Sequence, residues 1–294
     1  MARRTVFWHI GPDDPGTAFI AEALTQRREE LAALGASVPD TGPRTPWHEV
    51  EAQLWKHKGV SLLSTPHVAR ADEAAVGLRL AGLRDLELHL VLLVRDLPTQ
   101  VHAAWQAGLQ HGSTTPLATY AARVLDPERS HWQAEDFWAG RDLTALLPRW
   151  TRAIHPYRVH VVAAPADPDG LWQSFLRQAG IGDLDRPDVL VPPSLRAELD
   201  PERVLTLTTR WAKIVADRGF ELDGSLIAPS LAPGALAGRE EQFESVVELL
   251  AATTGEVARL GTEVARLRRE NARLDRKRRK HKRRLGELRR STGR

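Results

Sequence analysis

The amino-acid sequence predicts a three-layer α/β domain built on a parallel sheet, followed by a C-terminal α-helical coiled coil. Three observations lead to this fold class. Short apolar runs alternate with helical patterns as far as about residue 230, as expected for a parallel sheet that is covered by helices. A glycine-containing loop joins the first apolar run to the first helical pattern. Beyond residue 240, apolar residues recur every three and four positions, which is the spacing of a coiled coil.

Four apolar runs are predicted to form buried strands. The third, LELHLVLLV, is nearly continuous in apolar character, as a strand covered on both faces should be. The strands are expected at residues 5–10, 60–64, 86–94 and 158–164. The helices are expected at residues 17–34, 47–56, 68–83, 99–109, 171–179 and about 198–218.

The composition changes at the end of this α/β region. The stretch APSLAPGALAG (228–238) is rich in proline and glycine, which interrupt regular structure. We therefore predict an α/β domain at residues 1–230, a linker at residues 231–239, and a coiled coil with a basic tail at residues 240–294.

The heptad pattern after the linker runs from Phe243 to Leu288. Asn271 occupies an a position flanked by leucines at d, an arrangement that favours parallel, in-register dimers. The sequence thus predicts a homodimer formed through the coiled coil. A single helix that folds back on its own domain would produce the same apolar stripe and is the alternative.

Positive charge is concentrated in the last part of the chain. Residues 266–294 contain 15 Lys/Arg against three acids, a balance of +12, so the net charge of +3 leaves −9 for residues 1–265. The segment RKRRKHKRR (276–284) predicts contact with a polyanion, either nucleic acid or an acidic surface. It contains no aromatic residue for base stacking. A solvated tail that keeps an acidic protein soluble explains the same charges.

The composition excludes several classes of chemistry. The chain has no cysteine, which excludes disulfides, thiolate catalysis and cysteine-ligated zinc. Its histidines lack the spacing of metal ligands on a helix, so no metal site is predicted. No apolar stretch is long enough to predict a transmembrane segment, and the N-terminus does not resemble a signal peptide. The expected location is cytoplasmic.

The first loop, in the stretch FWHIGPDDPGTAFIAEAL, follows the plan of a phosphate-binding loop but carries the wrong charge. Gly11 and Gly16 flank four residues between a strand and a helix, as in P-loops. Where such a loop has a lysine, this one has Asp13 and Asp14. A carboxylate about 4 Å from one phosphate charge costs about 4 kcal/mol at an effective dielectric near 20. Asp14 followed by proline is also typical of a helix N-cap, so the loop is predicted to fill its own anion site.

Several blocks, in chain order, resemble the bacterial (actinobacterial-type) sulfotransferase-like family. HIGPDDPGTA (9–18) resembles the family's opening His-Ile-Gly-x-Pro-Lys-x-Gly-Thr-Thr. LLVRDLPTQVHAAWQ (92–106) resembles its strand ending in Val-Arg-Asp-Leu and the helix that follows. FWAGRDLTALLPRW (137–150) and WAKIVADRGFELDGSLIAP (211–229) fit later segments. The resemblance covers about residues 4–230.

This resemblance implies a P-loop-type fold and transfer of a sulfuryl group from 3′-phosphoadenosine 5′-phosphosulfate (PAPS) to a hydroxyl or amine of a small molecule or carbohydrate. In the family pattern the first loop holds the 5′-phosphate of PAPS, and an arginine and a serine within the second block hold its 3′-phosphate. The cofactor-binding positions implied in this chain are Gly11, Asp14, Gly16, Thr17, Arg95 and Ala103.

The chain departs from the family pattern at four functional positions. The lysine position is Asp14, the serine position is Ala103, and the second threonine of the loop is Ala18. A His-Glu pair that often follows the second strand is replaced by Thr65-Pro66. These departures predict a degraded PAPS site, in a protein that is weak or inactive in sulfuryl transfer and acts as a coiled-coil-mediated binding protein.

Two other functions fit the sequence. An active PAPS-dependent enzyme would need a relocated cation, from Arg3, Arg4 or a partner's basic tail, and His48 is the candidate for acid/base catalysis on the acceptor side. A polyanion-associated scaffold would use the basic tail alone. Trp105 and Trp138 are predicted to be core residues.

Overall fold

In the part of the chain that the structure describes, six parallel strands form one sheet. The structure, a computed structural model, describes residues 4–14, 17–42, 44–165, 167–189 and 196–227. The strands lie in the order β2-β3-β1-β4-β5-β6, and all pairs are parallel. Their bounds are β1 Thr5–Gly11, β2 Ala36–Ser37, β3 Val60–Ser64, β4 Glu87–Val94, β5 Val159–Ala163 and β6 Glu221–Asp223. Because β1 lies between β3 and β4, the chain order reverses across it, and ligands gather at the carboxyl ends of strands at such a point.

Helices cover both faces of the sheet, so the predicted three-layer α/β arrangement is confirmed. Alternate residues of β1 enter two separate cores: Trp8 packs on one side and Phe7 on the other. The first core is completed by α3 Trp47–Lys56, α4 Glu73–Leu83, α5 Leu97–Gln110, α6 Leu117–Val124, α7 Trp132–Ala139, α8 Leu143–Trp150 and α10 Pro201–Asp217. The second is completed by α1 Phe19–Gln26, α2 Arg28–Ala33 and α9 Pro168–Gln178.

The four predicted strands are confirmed to within one residue at either end, whereas two edge strands and three helices were not predicted. The edge strands β2 and β6 have two and three residues, which is too short for an alternating pattern to show. The helices α6, α7 and α8 have eight residues each, close to the shortest length at which helical periodicity can be recognised.

The first helix begins later than predicted, and the N-cap prediction for Asp14 is wrong. The predicted helix at 17–34 is two helices, α1 and α2, joined at Arg27, and α1 begins at Phe19 after an N-cap at Ala18 that makes no side-chain hydrogen bond. The Asp14 carboxylate instead forms an ion pair with Arg95.

A tryptophan cluster supports the first strand where it approaches the loop. Trp8 is fully buried, stacks on Trp47 at 4.9 Å and meets Trp150 edge-on at 5.2 Å. Its indole N–H donates to the Thr65 hydroxyl at 2.7 Å. Thr65 stands where the family resemblance places a histidine. Its hydroxyl accepts the hydrogen bond of a buried indole N–H that would otherwise have no partner.

The predicted linker, coiled coil and basic tail lie outside the described residues. Among the described helices, none is both long enough and apolar enough to cross a bilayer.

Candidate functional site

The loop after β1 uses its own backbone groups internally. Asp13 N–H donates to the Gly140 carbonyl at 3.0 Å, and Asp14 N–H donates to the Pro12 carbonyl at 2.8 Å. The Thr17 N–H and hydroxyl both donate to the Asp14 carbonyl, at 2.9 and 3.0 Å. These are the groups with which a phosphate-binding loop would hold an anion. In the described part of the loop they already have protein acceptors.

A buried ion pair joins the two positions that the resemblance assigned to the PAPS phosphates. Arg95 Nε donates to Asp14 Oδ2 at 2.6 Å, and Arg95 Nη2 donates to Asp14 Oδ1 at 2.9 Å. Each side chain is only 1% exposed. Two parallel N–H···O contacts are the geometry with which an arginine binds a carboxylate or a phosphate. The carboxylate of the chain thus occupies the face of Arg95 that an incoming phosphate would need.

The topology explains why these two residues meet. Arg95 directly follows β4, and β4 pairs with β1 along its length. The carboxyl ends of neighbouring parallel strands lie at the same edge of the sheet, so the β1 loop and Arg95 are brought together. Arg95 therefore follows the carboxyl end of the strand next to β1.

Two buried histidines lie beside this ion pair. His9, near the carboxyl end of β1, is fully buried, and its Nδ1 lies 2.9 Å from the Ser64 hydroxyl. Burial lowers the pKa of His9 to about 3, although the Asp14 charge opposes the shift. Burial, and secondarily the Arg95 charge, lowers the pKa of His102 to about 4. Both imidazoles are therefore neutral at pH 7.

The other residues that the sequence predicted for the site differ in whether they lie near the ion pair. Gly11 ends β1 with a φ of +139°, and a Cβ there would approach the Ala69 Cβ to 2.9 Å, so glycine is required. Ala103 is buried on α5 and offers no polar atom to a phosphate. Gly16 lies outside the described residues. His48 is exposed near the start of α3 and does not line the cavity beside the β1 loop.

The relocated cation predicted for an active enzyme is not supplied by Arg4. Arg4 stands before the first residue of β1, and its Nε donates to the Trp55 carbonyl at 2.9 Å. A strand of this length spans roughly 20 Å, so Arg4 lies at the opposite edge of the sheet from the loop. Arg3 lies outside the described residues.

A second charged group lies next to the loop, at the surface. Arg70 makes ion pairs with Asp13, through its Nε, and with Asp136, through Nη1 at 2.6 Å. Both carboxylates are partly exposed, and the hydrogen bond to Arg70 holds the pKa of Asp136 below its usual range. Gly140 packs against this group, since a Cβ there would approach Asp13 Cβ to 2.8 Å and Arg70 Cγ to 2.9 Å.

A cavity of about 690 Å³ opens beside the Asp13–Arg70–Asp136 group, within the size range of small-molecule sites. Its walls come from the β1 loop, α5, α6, α7 and the segment between α5 and α6. Trp105 packs against the first core as predicted, but it is only half-buried and also lines this cavity. Trp138 is buried in the core as predicted.

Two buried polar side chains of the cavity could not be recognised as site residues from the sequence. Arg141 and Tyr120 are both buried and both line it. Arg141 belongs to the quoted block FWAGRDLTALLPRW, but nothing in that block indicates which of its two arginines is buried. Tyr120 follows a segment with no strong pattern, and only the packing of α6 against α5 and α7 brings it to the site.

The fold and the site define a three-layer α/β protein with a loop-and-cavity site at the carboxyl edge of a parallel sheet. No protein-family model matches the chain, and no curated protein matches it. A solved structure of a sulfotransferase from Alicyclobacillus acidocaldarius is similar to it, with 14% sequence identity and a TM-score of 0.45, over 71% of this chain and 92% of that one. At that identity and TM-score the similarity assigns neither a family nor an activity.

Proposed function

We propose that the protein has a sulfotransferase-like fold whose PAPS site is closed by the protein itself, and that it acts as a binding protein and not as a sulfuryl-transfer enzyme. The observation that carries the proposal is the buried, bidentate Asp14–Arg95 ion pair. To bind PAPS through Arg95, the protein would have to break this pair and leave the Asp14 carboxylate buried beside two phosphates.

The electrostatic cost supports this proposal. Separating a buried ion pair leaves uncompensated charge in a dry environment, which costs about 3–5 kcal/mol in measured cases. The internal hydrogen bonds of the Asp13, Asp14 and Thr17 N–H groups add to that cost, because each would have to exchange its carbonyl for a phosphate oxygen. Ala103 returns no hydrogen bond.

Calorimetric titration with the desulfated product of PAPS, 3′-phosphoadenosine 5′-phosphate, tests the proposal. We expect no measurable binding by the wild-type protein. Asp14→Ala should bind at least about tenfold more tightly than the wild type, because the guanidinium of Arg95 is then available for a charge-assisted contact with phosphate.

The matched control is Asp13→Ala, which removes the same charge from the same loop without freeing Arg95. If Asp13→Ala gained as much affinity as Asp14→Ala, the effect would be one of net charge and not of the ion pair. Tight binding of PAPS by the wild-type protein would reject the proposal in favour of an active sulfotransferase, with acceptor chemistry that includes His48.

We further propose that the protein is a homodimer through residues 240–294, with the basic tail available to a polyanion. The support is the heptad pattern with Asn271 at an a position. A chain ending at residue 238 is expected to sediment as a monomer and the full-length chain as a dimer. Sedimentation of both as monomers would reject the dimer, and the Asn271→Ala variant should lose the preference for a single oligomeric state.

A further inference from the structure

The cavity beside the loop contains a buried cation with no direct counterion. Arg141 is 4% exposed and its Nη1 donates to the Phe137 carbonyl at 3.0 Å. Its guanidinium lies over the Phe137 ring at 4.6 Å, and its Nε has no hydrogen-bond partner among the described residues. Among the residues that the structure describes, no carboxylate forms an ion pair with it.

Three carboxylates, those of Asp13, Asp14 and Asp136, interact electrostatically with Arg141, and each is paired with another arginine. Asp13 and Asp14 both raise the pKa of Arg141, but neither bonds to it, and burial, the largest influence, lowers that pKa. Asp13 is paired with Arg70, and Asp14 is paired with Arg95. A buried guanidinium keeps its charge, and leaving it without a direct partner is costly. An anion in the cavity would remove that cost.

A second hydrogen-bond donor lies in the same cavity. The Tyr120 side chain is buried, and its hydroxyl makes no hydrogen bond with any residue in the described part of the chain. Burial raises the pKa of Tyr120 to about 12, and the Arg141 charge opposes the shift. The phenol is therefore protonated at pH 7 and donates a hydrogen bond to whatever acceptor enters.

One part of the cavity wall suits a flat apolar body, whereas other parts carry polar side chains such as Gln133 and Asp136. Trp132 lies at the wall with 66% of its surface exposed, and the small residues Ala104, Ala107 and Gly108 form a smooth face of α5. The Trp105 indole N–H already donates to the Thr115 carbonyl at 2.8 Å. Trp105 therefore presents mainly its ring to a ligand, and aromatic rings pack well against one another.

We propose that this cavity binds a small aromatic monoanion, whose carboxylate or sulfonate-type group accepts hydrogen bonds from Arg141 and Tyr120 while its ring packs against Trp105 and Trp132. The site is separate from the Arg95 ion pair, so the inference does not rest on the proposed function. It names a ligand class for a cavity that the loop resemblance does not describe.

The test compares two probes of nearly equal shape, 2-naphthoate and the neutral 2-naphthamide, by calorimetric titration of the full-length protein. Wild type is expected to bind 2-naphthoate about tenfold or more tightly than 2-naphthamide, because only the carboxylate forms charge-assisted hydrogen bonds. Arg141→Gln should reduce that preference to less than about twofold. Tyr120→Phe should weaken 2-naphthoate binding about fivefold and leave 2-naphthamide binding almost unchanged.

Arg129→Gln serves as the control, because Arg129 is also stacked on an aromatic ring, that of Trp138, but lies outside the cavity and is paired with Asp142. It should keep the full preference for the anion. The proposal is overturned if wild type binds neither probe at millimolar concentration, if it binds both equally, or if Arg141→Gln keeps the preference. Should Arg141→Gln fail to fold, the wild-type comparison and Tyr120→Phe still decide the matter.

Discussion

Replacing Asp14 with alanine is expected to lower the free energy of unfolding by about 3–5 kcal/mol, because it leaves the Arg95 guanidinium buried without its counterion. Asp14 and Arg95 are each only 1% exposed, so water cannot replace the lost partner. Asp14→Lys should be worse, because it places an ammonium group against the same guanidinium. Urea denaturation followed by far-ultraviolet circular dichroism measures the loss.

Two comparisons separate the ion pair from the general effect of changing the loop. Asp13→Ala should cost about 1 kcal/mol or less, since the Asp13–Arg70 pair is partly exposed. The double variant Asp14→Leu, Arg95→Met should be more stable than either single variant, because no lone charge is then buried. If Asp14→Ala lowered the free energy of unfolding by less than about 1 kcal/mol, the ion pair would not be a major source of stability for the loop.

Acidification from pH 7 to pH 5 is expected to lower the free energy of unfolding by about 2 kcal/mol for each of two buried histidines. The pKa of His9 is lowered to about 3 and that of His102 to about 4, in both cases mainly by burial. The unfolded chain takes up protons near pH 6.5, whereas the folded chain does not. The stability that these groups contribute is therefore complete above about pH 6.5 and falls as the pH is lowered. His89, with its pKa lowered to about 4 mainly by burial, adds less because it is partly exposed.

The variant His102→Gln tests this origin of the pH dependence. It should reduce the loss between pH 7 and pH 5 by about 2 kcal/mol, since glutamine does not titrate. His48→Gln, at an exposed position, should leave the loss unchanged. Equal urea midpoints at pH 7 and pH 5 for the wild type, or an unchanged loss in His102→Gln, would show that the buried imidazoles are not responsible.

The sheet could be predicted from sequence because its signal is local. The run LELHLVLLV is nearly continuous in apolar character and ends directly before Arg95, so the sequence placed Arg95 at the carboxyl end of a strand. That this strand is a neighbour of β1 is seen only in the structure. The negative charge of the loop was visible in the sequence. That the loop would satisfy an anion site with its own carboxylate was also predicted, although with the wrong partner.

The partner of Asp14 could not be predicted, because two physical preferences compete for one carboxylate. Asp followed by proline favours a helix N-cap, which is a local preference of about 1 kcal/mol. The bidentate contact is made instead with Arg95, which lies 81 residues further along the chain. Because Arg95 is buried, leaving it without a counterion would cost more free energy than losing the helix cap. The structure shows the nonlocal partner, and α1 begins at Phe19 without a side-chain cap.

The cavity was not predicted for a different reason. Tyr120 lies on a helix of eight residues and Arg141 in the turn after another, and the two residues become partners only through the packing of α6 against α5 and α7. Arginine is rarely buried without a paired carboxylate. The burial of Arg141 therefore could not be predicted from the sequence.

Gly140 limits how this protein can evolve. Its φ of −116° suits any amino acid, so the requirement for glycine comes only from space. Its carbonyl holds the Asp13 N–H, and its Cα faces both Asp13 and Arg70 too closely for a methyl group. A substitution at this one position would therefore shift the closed loop and the cavity wall together. Lineages that lose this glycine should lose both features in a single step, and those that keep it can vary the lining of the cavity while the loop stays shut.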